Sequence, residues 1–155
     1  ENTLVILRSK WKAGITVHRS YARDLPPIEA YGSELNQVWT NLIDNAIDAM
    51  GGTGDLSIEV RAGPAGESVI VEVCDTGPGV PAAIRERIFE PFYTTKEVGA
   101  GTGLGLHISR SIVERHGGDL ELVASEAGRT CFRVTLPRRA SEIPEPDEAE
   151  RASAE

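Results

Sequence analysis

The sequence predicts an α+β fold, a two-layer sandwich in which helices cover one face of a mixed, mostly antiparallel sheet. Two observations predict it. Runs with the alternation or continuous apolarity of strands come in pairs joined by glycine-containing turns. Between them lie two longer stretches whose apolar residues recur at three- and four-residue steps. The resulting order is strands, helix, hairpin, loop, helix, hairpin, with no internal repeat, which suits helices segregated to one side of a sheet. A chain of 155 residues fits one domain and buries roughly two-thirds of its unfolded surface. Neither a disulfide nor a structural metal is required.

The formal charge of −8 and the pI near 4.9 exclude sequence-independent nucleic-acid binding, which needs a basic footprint. Cys74 and Cys131 both fall inside apolar runs, so buried free thiols are expected rather than a bridge or a metal pair, pointing weakly to a reducing compartment. No apolar run approaches the roughly 18 residues of a membrane span, and the start has no signal-peptide pattern. The first residue is Glu rather than Met, as in a piece of a longer protein.

Taken in order, residues 1–12 place Leu4, Leu7 and Trp11 at helical spacing. Ile15 and Val17, continuing to Tyr21, read as a strand; Leu25-Pro26-Pro27 is a break; Ile28 to Tyr31 reads as a second short strand. Ser33 is placed to cap the helix Glu34 to Met50, whose Leu35, Val38, Leu42, Ala46 and Ala49 form an apolar stripe joined by Trp39, Ile43 and Met50. Gly51, Gly52 and Gly54 end it. Leu56 to Arg61 and Ser68 to Cys74 form a hairpin around Gly63-Pro64-Ala65-Gly66, and its second strand delivers Asp75. Pro81 to about Ile88 reads as a short helical segment. Leu104 to His116 is the second long helix, stopped by Gly117-Gly118, and Leu120 to Ala124 with Cys131 to Leu136 close the domain. From Pro137 the composition turns acidic and poor in apolar residues, so residues 138–155 are expected to be a disordered tail.

Four features between positions 41 and 105 carry chemistry. Asn41 and Asn45 lie one turn apart on the first long helix, with Asp48 three residues further on, so their side chains can meet one ligand. Asn is a mediocre helix former, and the pair costs roughly 1 kcal/mol. A carboxamide oxygen suits magnesium, which keeps several waters and bridges substrate phosphates; a solvated polar face is the plain alternative. In DTGPGV, Asp75 to Val80, a carboxylate can accept from the exocyclic amine of adenine, and glycines let the backbone approach a flat ring. The same residues also begin ordinary turns.

In FEPFYTTK, Phe89 and Phe92 can anchor one end of a mobile loop and Lys96 can reach a phosphate, where the alternative is a surface loop with a hydrophobic plug. GTGLGL, Gly101 to Leu106, runs into the second helix, and amides at a helix N-terminus favour anions. No Lys-Ser or Lys-Thr follows those glycines, and dinucleotide-fingerprint spacing is absent.

Each feature is weak alone, but their order and spacing together are specific. NLIDNAIDAM resembles the N box, DTGPGV the first glycine box, FEPFYTTK the F box and GTGLGL the second glycine box of sensor histidine kinase catalytic domains, which have the GHKL or Bergerat ATP-binding fold. The resemblance covers roughly Tyr31 to Pro137. It implies an ATP-binding catalytic domain over 13–137, with residues 1–12 the end of a dimerisation helix. It implies ATP and Mg2+ as ligands, with Asn45 on the metal, Asn41 beside it, and Asp75 reading adenine. Gly77 and Gly79 would shape the adenine pocket and Thr130 would support it. Lys96 and the segment Gly101, Thr102, Gly103, Leu104, Gly105 and Leu106 would hold the phosphates, and Phe92 to Gly101 would be a lid that orders on nucleotide.

Many members carry a basic residue at the position of Asp48, so a water- or metal-mediated role is implied for it. NAIDAM and TTK resemble the nitrogen-regulator class. The catalytic set implied is Asn41, Asn45 and Lys96. The phosphoacceptor is expected outside this chain, since His18 lies in a strand and His107 and His116 lie on the second helix, none followed by the acceptor context. Implied partners are a histidine-bearing dimerisation domain of the same parent protein, itself a homodimer, and a response regulator, in the cytoplasm whether or not the parent is membrane-associated. Two other classes stand beside this one. GHKL ATPases place a Glu general base where this helix has Asn41, and a carboxamide cannot take a proton from water. A non-catalytic nucleotide-sensing module is separated from a kinase only by activity.

Overall fold

A computed structural model of the chain describes residues 14–26, 32–93 and 104–138. Within them five strands form one sheet in the order β1-β2-β3-β5-β4, where β1 is Ile15–Tyr21, β2 Gly54–Ala62, β3 Ser68–Asp75, β4 Asp119–Glu126 and β5 Arg129–Pro137. β1 and β2 are parallel, since the helix α1 (Gly32–Ala49) connects them, and every other pair is antiparallel. The second helix, α2 (Gly105–Arg115), packs beside α1. The expected helix-on-sheet sandwich is what forms.

Strand alternation decides what faces the helices. In β3 the residues Val69, Val71, Val73 and Asp75 are buried while those between them are half-exposed, so the period of two that builds the core also turns Asp75 inward. The opposite strand β5 supplies Thr130, Phe132, Val134 and Leu136 in register with Asp75, Val73, Val71 and Val69. Against this surface α1 packs Leu35, Val38, Leu42, Ile43, Ala46 and Ile47, and α2 packs Ile112 and Val113. Fully burying a Leu, Ile or Val contributes roughly 1.5–3 kcal/mol. That apolar layer fixes the distance and rotation of both helices relative to the end of β3.

The structure corrects several expectations. Ala49 is exposed and Ile47, absent from the expected stripe, is buried; at 3.6 residues per turn Ile47 falls beside Ile43, and the stripe drifts past Ala49. The helix already starts at Gly32, so Ser33 lies inside its first turn instead of capping it. The segment after Pro81 is only a 3-10 turn, Ala82–Ile84, followed by further turns. Cys74 and Cys131 are not free thiols: they face each other across β3 and β5 and are joined by a disulfide, so the inference of a reducing compartment from free thiols falls. The register decides this, because directly opposed residues share a face. The helix expected over 1–12, the strand Ile28 to Tyr31 and the acidic tail 138–155 lie outside the described residues except for Arg138, which closes on Glu67 through a backbone hydrogen bond of 2.9 Å.

The outer sheet face carries a charge cluster. Glu72 accepts from Arg61 Nη1 at 2.6 Å and from Arg133 Nε at 3.0 Å. Partial burial pushes its carboxyl up, but the hydrogen bonds from both guanidiniums outweigh this and hold it below its usual value.

Candidate active site

The Asp75 carboxylate is the fixed point of the site. Only 5% of its surface is exposed, and Oδ1 accepts the Gly77 backbone N–H at 2.8 Å. Burial pushes its pKa above the ordinary value, and the Gly77 hydrogen bond opposes the shift without cancelling it. Gly77 is needed for closeness: a Cβ there would stand 2.8 Å from Asp75 Oδ1 and 3.1 Å from the Ala49 carbonyl oxygen. The loop after β3 is therefore pressed against the end of α1. Gly79 has φ +83°, in the left-handed region that favours glycine, and a Cβ on it would meet the Glu126 carbonyl oxygen at 2.8 Å.

Side chains that the sequence did not single out hold this loop. Thr76 Oγ1 accepts the Asp55 N–H at 3.1 Å and donates to Met50 Sδ at 3.6 Å, tying the loop to β2 and to the turn that follows α1. Ser125 Oγ accepts the Val80 N–H at 2.6 Å and donates to the Val80 carbonyl at 3.0 Å, while Arg85 donates to the Ser125 carbonyl at 2.8 Å. The Gly128 N–H donates to the Gly77 carbonyl at 2.9 Å. Thr130 is 5% exposed and directly opposite Asp75, so the two share the inward face at the end of the sheet.

On α1, Asn41 and Asn45 are half-buried and Asp48 is exposed. Asn41 Nδ2 donates to the Gly105 carbonyl at 3.2 Å and to Ser109 Oγ at 3.1 Å, which joins the first turn of α2 to the middle of α1. No side chain caps α2 at Leu104, so its first-turn amides at Gly105 and Leu106 stand at an end with the positive pole of the helix dipole. Ser109 escaped the sequence reading. Its signal was a small polar residue one turn after Gly105 within an apolar helix face.

The F box is corrected in one respect. Phe89 is anchored, with its ring edge-on to Phe132 at 6.3 Å and the Arg110 guanidinium 4.3 Å above it. Phe92 is not anchored among the described residues: it is 74% exposed, with φ 66°. Lys96, Gly101, Thr102 and Gly103, with the expected lid from residue 94 onward, lie outside the described residues. Asn41 meets Gly105 at the helix pair, with Asn45 one turn further along α1, and Asp75, Gly77, Gly79 and Thr130 lie at the strand ends.

The donor chemistry fits magnesium. Among the described residues no group of three or more His, Cys, Asp or Glu side chains could cage a metal. Asn41 and Asn45, carboxamides one turn apart on α1, instead suit an ion that takes one or two protein oxygens and completes its shell from phosphates and water.

Comparison with known proteins decides the family. Residues 31–140 match the histidine kinase-, DNA gyrase B-, and HSP90-like ATPase family. The chain belongs to that family. Within it, the relatives are sensor kinases: the chain is 42% identical over 132 residues to sensor kinase CckA of Brucella abortus, covering 76% of this chain and 14% of CckA. It is 36% identical over 156 residues to the sensory histidine kinase/phosphatase NtrB of Rhodobacter capsulatus, covering 90% of this chain and 43% of NtrB.

The catalytic domain of histidine kinase ThkA, solved without nucleotide, superposes with TM-score 0.80 at 33% identity, covering 91% of each chain. Full-length ShkA with AMPPNP gives 0.77 at 28% identity over 88% of this chain and 28% of that one. ThkA in complex with the response regulator TrrA gives 0.73 at 28% identity, over 90% of this chain and 39% of that one. This protein is thus the nucleotide-binding catalytic domain of the sensor histidine kinase class, and spans less than half the length of CckA and of NtrB. No helix among the described residues is long and apolar enough to cross a membrane.

Proposed function

We propose that this domain binds Mg-ATP and transfers the γ-phosphoryl group to a histidine on a dimerisation domain outside the described chain, with residues 1–12 the end of a helix of that domain. The observation that carries the reading is the chemistry of position 41. Asn41 is a carboxamide, whose oxygen is too weakly basic to take a proton from an attacking water, and both of its N–H bonds are spent on α2. An ATPase of this fold needs that base; a kinase does not, because the acceptor imidazole brings its own lone pair.

In the transfer, the bond from the γ-phosphorus to the bridging oxygen breaks and ADP leaves with the electron pair. A phosphorus–nitrogen bond forms to the imidazole, which sheds its ring proton. Asp75 holds adenine by accepting its exocyclic amine, and Gly77 and Gly79 let the backbone close on the ring. The first-turn amides of α2 and Lys96 hold the phosphates in line. Asn45 and Asn41 would hold magnesium, which when bound neutralises charge on the phosphate oxygens. Catalysis of this kind is mainly positioning and charge neutralisation.

A response regulator is the proposed recipient downstream, as the ThkA–TrrA pairing supports, and the cytoplasm the proposed location of the domain. The test is radiolabelled ATP mixed with this chain alone, then with the cognate helical hairpin. Acid-labile label on the hairpin and none on this chain is expected. Rapid ATP hydrolysis by the chain alone would favour the ATPase alternative and overturn the proposal.

A further inference from the structure

Asn41 is held in a way that fixes which of its side-chain atoms can meet a ligand. The Gly105 carbonyl oxygen can only accept, so the Asn41 atom 3.2 Å from it must be the amide nitrogen. The second N–H of that nitrogen goes to Ser109 Oγ at 3.1 Å. Gly105 and Ser109 stand one helical turn apart on the same face of α2, at the spacing a planar NH2 group can straddle. With both hydrogens committed to α2, the carboxamide plane is set and Oδ1 points away from that helix. Ser109 is 0% exposed, so its hydroxyl is a buried partner whose removal leaves that Asn41 N–H without it. A carboxylate at position 41 would have no donor for the Gly105 carbonyl, which gives a structural reason for Asn there besides the chemical one.

We propose that Ser109 is a positioning residue: by accepting the second Asn41 N–H it orients Asn41 Oδ1 toward the metal-bearing phosphates of the bound nucleotide. This rests on the assignment of Asn41 to the Mg-nucleotide site made above. Through the same two hydrogen bonds, the start of α2, which follows the glycine segment, sets the angle of a side chain on α1.

The test uses the whole chain in isotope-labelled form. Asn41→Ala first identifies the Asn41 side-chain NH2 signals by their loss. In Ser109→Ala, which keeps helix propensity and adds no bulk, one proton of that pair should shift and lose exchange protection while the backbone spectrum stays in place. Calorimetric titration with ADP then compares excess magnesium with chelator. Ser109→Ala should weaken the magnesium-dependent affinity about threefold to tenfold, the worth of one hydrogen bond, and leave the affinity in chelator unchanged; Ser109→Thr, which keeps the hydroxyl, should return it to within about twofold. Unmoved Asn41 signals in Ser109→Ala would overturn the contact. Moved signals with unchanged magnesium dependence would overturn the orienting role. If Asn41→Ala itself keeps full magnesium-dependent affinity, the assignment of Asn41 falls and takes this inference with it.

Discussion

Replacing Asp75 with Asn tests adenine recognition and buried charge in one protein. Oδ1 of Asp75 is committed to the Gly77 N–H at 2.8 Å, so on the proposed reading the second oxygen is the one left to accept from an exocyclic amine. In Asp75→Asn the amide oxygen can still accept from Gly77, and an NH2 group then faces the adenine amine donor to donor. Loss of a hydrogen bond to an ionised acceptor is worth about 1.5–3 kcal/mol, roughly tenfold to a hundredfold in affinity. Stability should move the other way.

Burial raises the Asp75 pKa in the fold, so the ionised carboxylate costs stability fully above the folded value. That cost fades as pH falls through the folded pKa toward the unfolded one. The ligand-free variant should therefore melt no lower than wild type at neutral pH, with any advantage closing on acidification. Calorimetric titration with ADP and thermal melts across pH from about 4 to 8 supply both readouts. Wild-type ADP affinity in Asp75→Asn would refute the adenine assignment, and a large loss of ligand-free stability would refute the account of the buried charge.

Glu72→Ala removes the shared acceptor of Arg61 and Arg133 and should cost about 1–3 kcal/mol in urea denaturation; because the Glu72 pKa is lowered in the fold, that contribution is present at neutral pH and lost as pH falls through the folded value, so the gap to wild type should narrow in acid. Reducing the Cys74–Cys131 disulfide, which spans 57 residues, should lower stability by up to about 4 kcal/mol on the chain-entropy account, and denaturation with and without dithiothreitol measures it. Asn45→Ala should abolish magnesium-dependent nucleotide binding without lowering the melting temperature by more than a few degrees. His18→Ala should leave any labelling unchanged, since His18 lies exposed on β1 beside Asp55 at 3.4 Å; loss of label in that variant would place the acceptor inside this chain.

The two long helices and the two hairpins were legible in the sequence because their signals are local. Periodicity marks which face is apolar, glycines mark where α1 and α2 stop, and the end of the β3 alternation points Asp75 inward. The family too was legible, since the order of four short motifs survives without any knowledge of contacts. What the sequence could not supply is which residues meet across distance. Cys74 and Cys131 look like two separate buried thiols until the β3–β5 register sets them opposite each other.

Phe89 and Phe92 look equivalent in FEPFYTTK, yet only Phe89 finds the ring of Phe132 and the guanidinium of Arg110. Ser109 carries no signal of function until α2 lies against α1 and presents its hydroxyl to Asn41, 68 residues earlier. Composition and spacing thus determined the elements and the donor chemistry. The packing of the apolar layer decided which donors face one another, because the distance and rotation between the helices are set by all the buried side chains together and by no single stretch of chain.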